Sequence, residues 1–259
     1  MNVENKNILV TGGANGIGRA LCERFAADGA KKMYVADIDY ETAQTVAGKI
    51  GGEAIRIDVA DETNVKTAVE EILSDCGHLD LVCSNAGIGG AEGGLEVGND
   101  VWRKIYEINV LSHLYLSRAC FPSMIDRGAG YFLMTASAAG LLTHPTAAPY
   151  AVTKHAAVAF AEWLSIAYDE RGIKVSCLCP QGVKTQLIAS EEGAPENFLM
   201  AEAITAEVCA DAVIEGLKNE SFLILPHAEV AQYIINKAEN YERWLYSLRN
   251  MRKTVLGAN

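Results

Sequence analysis

The sequence predicts a single α/β domain over residues 1–259, built on a parallel, doubly wound β-sheet with helices on both faces. Three observations carry that prediction. Short apolar runs alternate with longer amphipathic ones, the β-α-β rhythm of a parallel sheet. The short runs are continuously apolar rather than alternating, as strands buried on both faces must be. The chain is 50% hydrophobic over 259 residues, with no repeat, low-complexity tract or linker to divide one large core.

The elements follow in order. Residues 7–10 (Asn-Ile-Leu-Val) make the first strand, and 16–29 a helix ending at Gly29. Residues 33–36 make the second strand, followed by a helix near 40–50. Residues 54–57 make the third, followed by a helix near 62–75. The fourth strand is 79–83, and a long helix spans about 99–126. The fifth strand is 130–134, and a second long helix spans about 148–171. Residues 174–178 and 222–226 supply two more strands, giving seven. Residues 186–206 break periodicity with Gly193, Pro195 and several acids; after a strand's carboxyl end they read as a substrate lid or a plain connector. A helical tail covers 227–251, with Val230, Tyr233, Ile234, Trp244, Leu245 and Leu248 as an apolar stripe. Its opposite face is mixed in charge, which fits packing on protein and not on membrane.

Composition excludes some classes of function. A net charge of −11 disfavours nucleic acid and anionic membrane surfaces as partners. The polar start runs straight into a strand, without the basic and apolar regions of a signal peptide. No apolar run reaches the roughly 18 residues of a membrane span. Seven scattered cysteines fit reduced thiols, so a cytoplasmic location is expected. Cys177 and Cys179 share one strand face and read as small core residues; no metal site is expected.

Thr11-Gly12-Gly13-Ala14-Asn15-Gly16-Ile17-Gly18 joins the first strand to the first helix. Glycines let the backbone turn sharply and approach a pyrophosphate, and the helix start offers free N–H groups with partial positive charge. Gly12, Asn15, Gly16, Ile17 and Gly18 are therefore assigned to a dinucleotide. Asp37, 19 residues past Gly18 at the end of the second strand and followed by Ile38, suits a carboxylate bonding the adenosine ribose hydroxyls. It would repel a 2′-phosphate, and no Arg or Lys adjoins it in sequence. NAD is thus expected over NADP. Asp58-Val59 and Asn85-Ala86-Gly87, at the ends of the third and fourth strands, line the same crevice.

Tyr150 and Lys154 lie four apart on a predicted helix and share a face. A tyrosine of ordinary pKa, about 10, is a poor base at neutral pH, and a neighbouring ammonium favours its phenolate. Ser137 ends the fifth strand, 13 residues before Tyr150, where it can bond a substrate oxygen. Asn109 sits inside the first long helix.

These four residues behind that glycine turn resemble the classical short-chain dehydrogenase/reductase family, over about residues 5–187. The resemblance implies a Rossmann sheet of strand order 3-2-1-4-5-6-7. It implies that Tyr150 exchanges a proton with the substrate oxygen, that Lys154 lowers the Tyr150 pKa and bonds the nicotinamide ribose, and that Ser137 orients the substrate. Asn109 would hold a water in a proton relay to Lys154. Residues 180–185 resemble the family's nicotinamide-clamping turn, with Pro180, Gly182, Val183 and Thr185 on the cofactor. Ser84 departs from the family's usual Asn. Gln181 departs from the usual Gly, and either crowds the nicotinamide or reaches toward substrate. The customary glycine-rich end of the seventh strand is missing. His144 and Gln181 join Ser137 and Tyr150 as expected substrate contacts.

The expected reaction interconverts a secondary alcohol and a ketone. The substrate should be fairly apolar, because residues 186–206 hold no Arg or Lys. Two alternatives use the same scaffold: epimerisation or dehydration with NAD, and a non-catalytic NAD-binding regulator. The resemblance also implies a homodimer, or a homotetramer, through the 99–126 and 148–171 helices; the second of these is apolar almost all round.

Overall fold

The computed structural model describes residues 1–89, 92–185 and 203–257. Seven parallel strands, β1 (Asn7–Thr11), β2 (Lys32–Asp37), β3 (Glu53–Arg56), β4 (Leu81–Ser84), β5 (Gly130–Thr135), β6 (Ile173–Leu178) and β7 (Leu223–Ile224), form one sheet. Their order is β3-β2-β1-β4-β5-β6-β7. The order reverses at β1, which pairs with both β2 and β4. A crevice therefore opens above the carboxyl ends of β1 and β4, the switch point where such sheets bind ligands.

Strand alternation sends side chains into two cores. Ile8, Val10 and Val35 meet Leu21 and Phe25 of α1 (Gly16–Ala27), Val46 of α2 (Tyr40–Ile50) and Val213 of α8 (Ala206–Lys218). Helix α8 is not delineated by the sequence reading. Leu9, Tyr34 and Phe132 meet Ile72 of α3 (Glu62–Cys76), Leu116 of α5 (Ser112–Arg127) and Leu164 of α7 (Ala148–Tyr168). Cys177 and Cys179 lie buried in the second core with their sulfurs 3.7 Å apart, and all seven cysteines are free thiols. Among the described residues no helix is long and apolar enough to cross a membrane.

The structure adjusts the expected boundaries. The helix read over 99–126 is α4 (Asn99–Tyr106), a π-turn (Glu107–Leu111) and α5. Only Leu223 and Ile224 of the seventh strand pair with β6. The short α6 (Ala139–Leu142), which the apolar pattern did not announce, packs against the start of α7. The tail is two helices, α9 (Glu229–Glu239) and α10 (Tyr241–Val255), because Asn240 leaves helical geometry and its side chain caps α10 through the Arg243 N–H. The expected lid falls mostly on 186–202, outside the described residues; Ile204 bridges to Val183 and Thr205 caps α8.

Candidate active site

A cleft of about 1020 Å³ runs over the carboxyl end of the sheet, from Asp37 at one end to Trp244 and Met251 at the other. All the cofactor, catalytic and substrate residues expected from sequence line it, except Gly18 and Asn109. Those two support it from behind.

The glycine turn is built for close backbone approach. Gly12 has φ +66°, and a Cβ there would lie 2.9 Å from Ala86 Cα. A Cβ on Gly18 would sit 2.0 Å from the Gly12 carbonyl oxygen, so only glycine lets α1 start this near β1. Asp39, Asp61 and Thr205 cap the starts of α2, α3 and α8 with their side chains. Helix α1 differs: Asn15 makes no capping bond, and no acid stands in the first turn. Its first N–H groups thus remain suited to an anion. This cradle, which a Cβ would fill, fits the pyrophosphate of a dinucleotide.

Asp37 is held by backbone donors. Its Oδ2 accepts from Ala14 N at 3.0 Å and its Oδ1 from Asp39 N at 3.0 Å. Arg56 is its register partner on β3, a neighbour hidden by sequence separation. Arg56 does not line the cleft. Ile38 is 62% exposed beside Asp37, an apolar edge open to a flat ring. Asp58 accepts from Ala60 N at 3.0 Å, which shapes the turn carrying Val59. Asn85 ties the sheet together: its amide donates to Thr11 O and its carbonyl oxygen accepts from Thr135 Oγ1, both at 3.0 Å. Ala86 and Gly87 then pass between the glycine turn and the corner formed by Asn109 and Lys154.

Helix α7 places Tyr150 and Lys154 on one face. Lys154 is buried, donates to Thr135 O at 3.2 Å, and has Nζ 5.6 Å from the Tyr150 ring centre. Burial pushes this ammonium down to about 8. A Cβ on Gly87 would come within 3.4 Å of Lys154 Nζ and 3.3 Å of Asn109 Oδ1, so glycine keeps this corner open. Ser137 Oγ accepts from Ala139 N at 3.1 Å and donates to Pro180 O over a long 3.4 Å. The His144 ring stands edge-on to Tyr150, with centres 6.2 Å apart.

Asn109 lies in the π-turn and is fully buried. Its amide accepts from Ile88 N at 2.9 Å and donates to Ile88 O at 3.0 Å and to Thr153 Oγ1 at 3.3 Å. The side chain therefore fastens the loop after β4 to the helices. Ile88 and the Thr135 carbonyl escape sequence reasoning because they are main-chain groups.

The 180–185 turn closes over the glycine turn, and a Cβ on Gly16 would touch Thr185 Cγ2 at 3.1 Å. Pro180 O accepts from Ala138 N at 2.8 Å, and Gly182 O from Ile204 N at 3.1 Å. Gln181 lines the cleft, but its amide donates to Glu229 Oε1 at 2.6 Å and its N–H to His227 Nδ1 at 3.2 Å. This tether to the tail is a contact that the sequence does not suggest. Ser84 also has a partner the sequence does not suggest, His113, at 2.6 Å.

The family model described as short chain dehydrogenase matches residues 6–195. A 1-deoxy-11-beta-hydroxypentalenate dehydrogenase of Streptomyces exfoliatus is 30% identical over 242 residues, covering 88% of this chain and 86% of that protein. A 2,5-dichloro-2,5-cyclohexadiene-1,4-diol dehydrogenase of Sphingobium indicum is 37% identical over 193 residues, covering 72% and 76%. Among solved structures, a short chain dehydrogenase/reductase from Burkholderia phymatum in complex with NAD superposes with a TM-score of 0.84 at 26% identity, covering 93% of this chain and 96% of that one. Sequence match and sheet order agree from the first strand through the turn after β6, and the chain belongs to the classical short-chain dehydrogenase/reductase family of oxidoreductases.

Proposed function

We propose that the protein is an NAD-dependent dehydrogenase that interconverts a secondary alcohol and a ketone, with Tyr150 as its acid–base residue. The observation that carries this reading is the buried Lys154 ammonium beside Tyr150, in a cleft that also holds an open helix start and Asp37. Asp37, Asn15 and the 12–18 turn would hold the adenosine half and pyrophosphate, and the 180–185 turn the nicotinamide half. NAD, when bound, supplies the hydride donor or acceptor. Asp37 favours NAD because a 2′-phosphate would meet a carboxylate and, among the cleft-lining residues around it, no cation.

In the oxidative direction the substrate carbon loses hydride while its hydroxyl proton passes to the Tyr150 phenolate; reduction reverses both transfers. Lys154 stabilises the phenolate by its charge. Ser137 can exchange its long bond to Pro180 O for one to the substrate oxygen while Ala139 N keeps the hydroxyl in place. The two dehydrogenases above carry hydroxylated substrates in their names, in keeping with an alcohol as substrate here.

The test follows NADH absorbance with a panel of secondary alcohols and ketones, repeated with NADP. Turnover with NAD and weak turnover with NADP are expected; tight NADH binding without turnover of any member would sink the reading. In Tyr150→Phe, turnover should fall by about 10²–10⁴ while NADH affinity holds, as for loss of a general acid–base group. Turnover like that of the parent enzyme would remove Tyr150 from the mechanism.

A further inference from the structure

The end of the cleft farthest from Asp37 is walled by the tail, and the tail is pinned at both sides of the site. Lys237 Nζ donates to Leu141 O at 2.6 Å, Trp244 Nε1 to Leu142 O at 3.3 Å and an Arg252 guanidinium N–H to Pro145 O at 2.6 Å. These three donors, spread over two helices, seize carbonyls along residues 141–145, the short segment that carries His144 and leads to Tyr150. On the other side, Gln181 of the 180–185 turn bonds Glu229 and His227 at the start of the tail. Val230, fully buried, anchors the strap between Leu142 and Ala138.

Where the strap faces the cleft, its chemistry changes. Tyr233, Trp244, Leu248 and Met251 line the space together with Leu142 and with Ser247, whose hydroxyl donates to Arg243 O at 3.1 Å. None carries charge, and the Trp244 N–H is already bonded to a carbonyl. The tail's cations Lys237 and Arg252 bond the rim carbonyls and do not line the cleft. An ionised substrate group would find no Lys, Arg, Asp or Glu among the tail residues lining this wall, whereas a hydrocarbon body would leave water against apolar surface.

We propose that helices α9 and α10 form the substrate-selecting wall, in which Trp244, Leu248 and Met251 receive the bulky, uncharged hydrocarbon body of the alcohol or ketone that Tyr150 serves. The inference rests on the dehydrogenase reading for its substrate but not for its binding surface. The departure at Gln181 then has a function: its side chain fastens the 180–185 turn to this wall, as a positioning residue.

Two measurements test the wall. In the first, kcat/KM is compared for propan-2-ol, cyclohexanol and a bicyclic secondary alcohol, in the parent enzyme and in Trp244→Ala and Leu248→Ala. The bicyclic-to-propan-2-ol ratio should fall about tenfold in each variant, through KM, as expected when a buried apolar contact is removed. An unchanged ratio overturns the proposal. Trp244→Phe, which keeps an aromatic ring but drops the bond to Leu142, covers the case in which the alanine variant does not fold. In the second, the matching bicyclic ketone is titrated calorimetrically into NADH-loaded Tyr150→Phe protein, with and without Leu248→Ala. About tenfold weaker binding in the double variant supports the wall even if no alcohol is turned over, an outcome that would refute the dehydrogenase reading alone. No binding of the ketone, or equal binding by both proteins, overturns the wall.

Discussion

At the scale of single residues, two buried bases show what this site demands of its surroundings. Lys154 is pushed from 10.5 to about 8 by burial, so it is a charge the fold holds against its preference. Between pH 8 and 10.5 the unfolded chain keeps a proton that the folded one has released, and stability rises with pH across that window. Below pH 8 the penalty is complete. Lys154→Met should therefore abolish turnover yet stabilise the cofactor-free protein at pH 7 by on the order of 3 kcal/mol, with the gain shrinking above pH 8. Denaturant titrations at pH 7 and 10 check this; a variant less stable at pH 7 would show that the bond to Thr135 O outweighs desolvation. His113 is the second case. It is fully buried, bonded to Ser84 and pushed to about 3 by desolvation and by Lys154 nearby. Its folded pKa lies below its unfolded value of 6.5, so its stability is complete above pH 6.5 and is lost as pH falls toward 3. The slope contributed is at most about 1.4 kcal/mol per pH unit. His113→Gln should flatten the acid limb of the stability–pH curve by that much; an unaltered limb would exclude His113 as its source.

At the scale of elements, the close start of α1 is the tightest constraint. A methyl at position 18 would press within 2.0 Å of the Gly12 carbonyl oxygen and 2.6 Å of Asn85 Nδ2, neither of which can move without disturbing β1 or its tie to β5. Gly18→Ala should destabilise the fold by about 1–3 kcal/mol, as overpacking does, and weaken NADH binding more than tenfold. Calorimetric melting with NADH titration reads both, and normal NADH affinity would show that α1 can shift freely. The π-turn is the other decisive element. It inserts a wider turn between α4 and α5 and puts Asn109 opposite Ile88, where its amide holds the loop after β4. Regular helical spacing through 99–126 concealed this, because the hydrophobic pattern carries little trace of one extra residue in a turn. The tail was legible as an apolar stripe but not as a wall. Its contacts with 141–145 join residues about a hundred positions apart.

At the scale of the whole molecule, α7 keeps an unmatched outer face. One side of the helix covers the sheet through Ala157, Ala161 and Leu164, while Val152, Trp163 and Ile166 are 50%, 57% and 81% exposed. We propose that this face, with α4 and α5, pairs with a second copy of the chain. Trp163→Glu with Ile166→Glu should shift the protein toward monomer in sedimentation velocity and lower its Tm, since association stabilises the folded state. A parent protein that is already monomeric at micromolar concentration would refute the pairing.

The sequence by itself determined the sheet, the glycine turn, Asp37 and the Tyr150–Lys154 pair. Each is written in local spacing: apolar runs, a tight turn that needs glycine, and two side chains one helical turn apart. Tertiary structure alone decided what surrounds them. Ile88 and the carbonyl of Thr135 act through main-chain atoms, which leave no mark in a side-chain pattern. Arg56 reaches the neighbourhood of Asp37 by strand register, His113 finds Ser84 through packing, and Gln181 is drawn to Glu229 by the return of the tail across the cleft. These partners are distant along the chain, and hydrogen bonding and desolvation depend on distance in space.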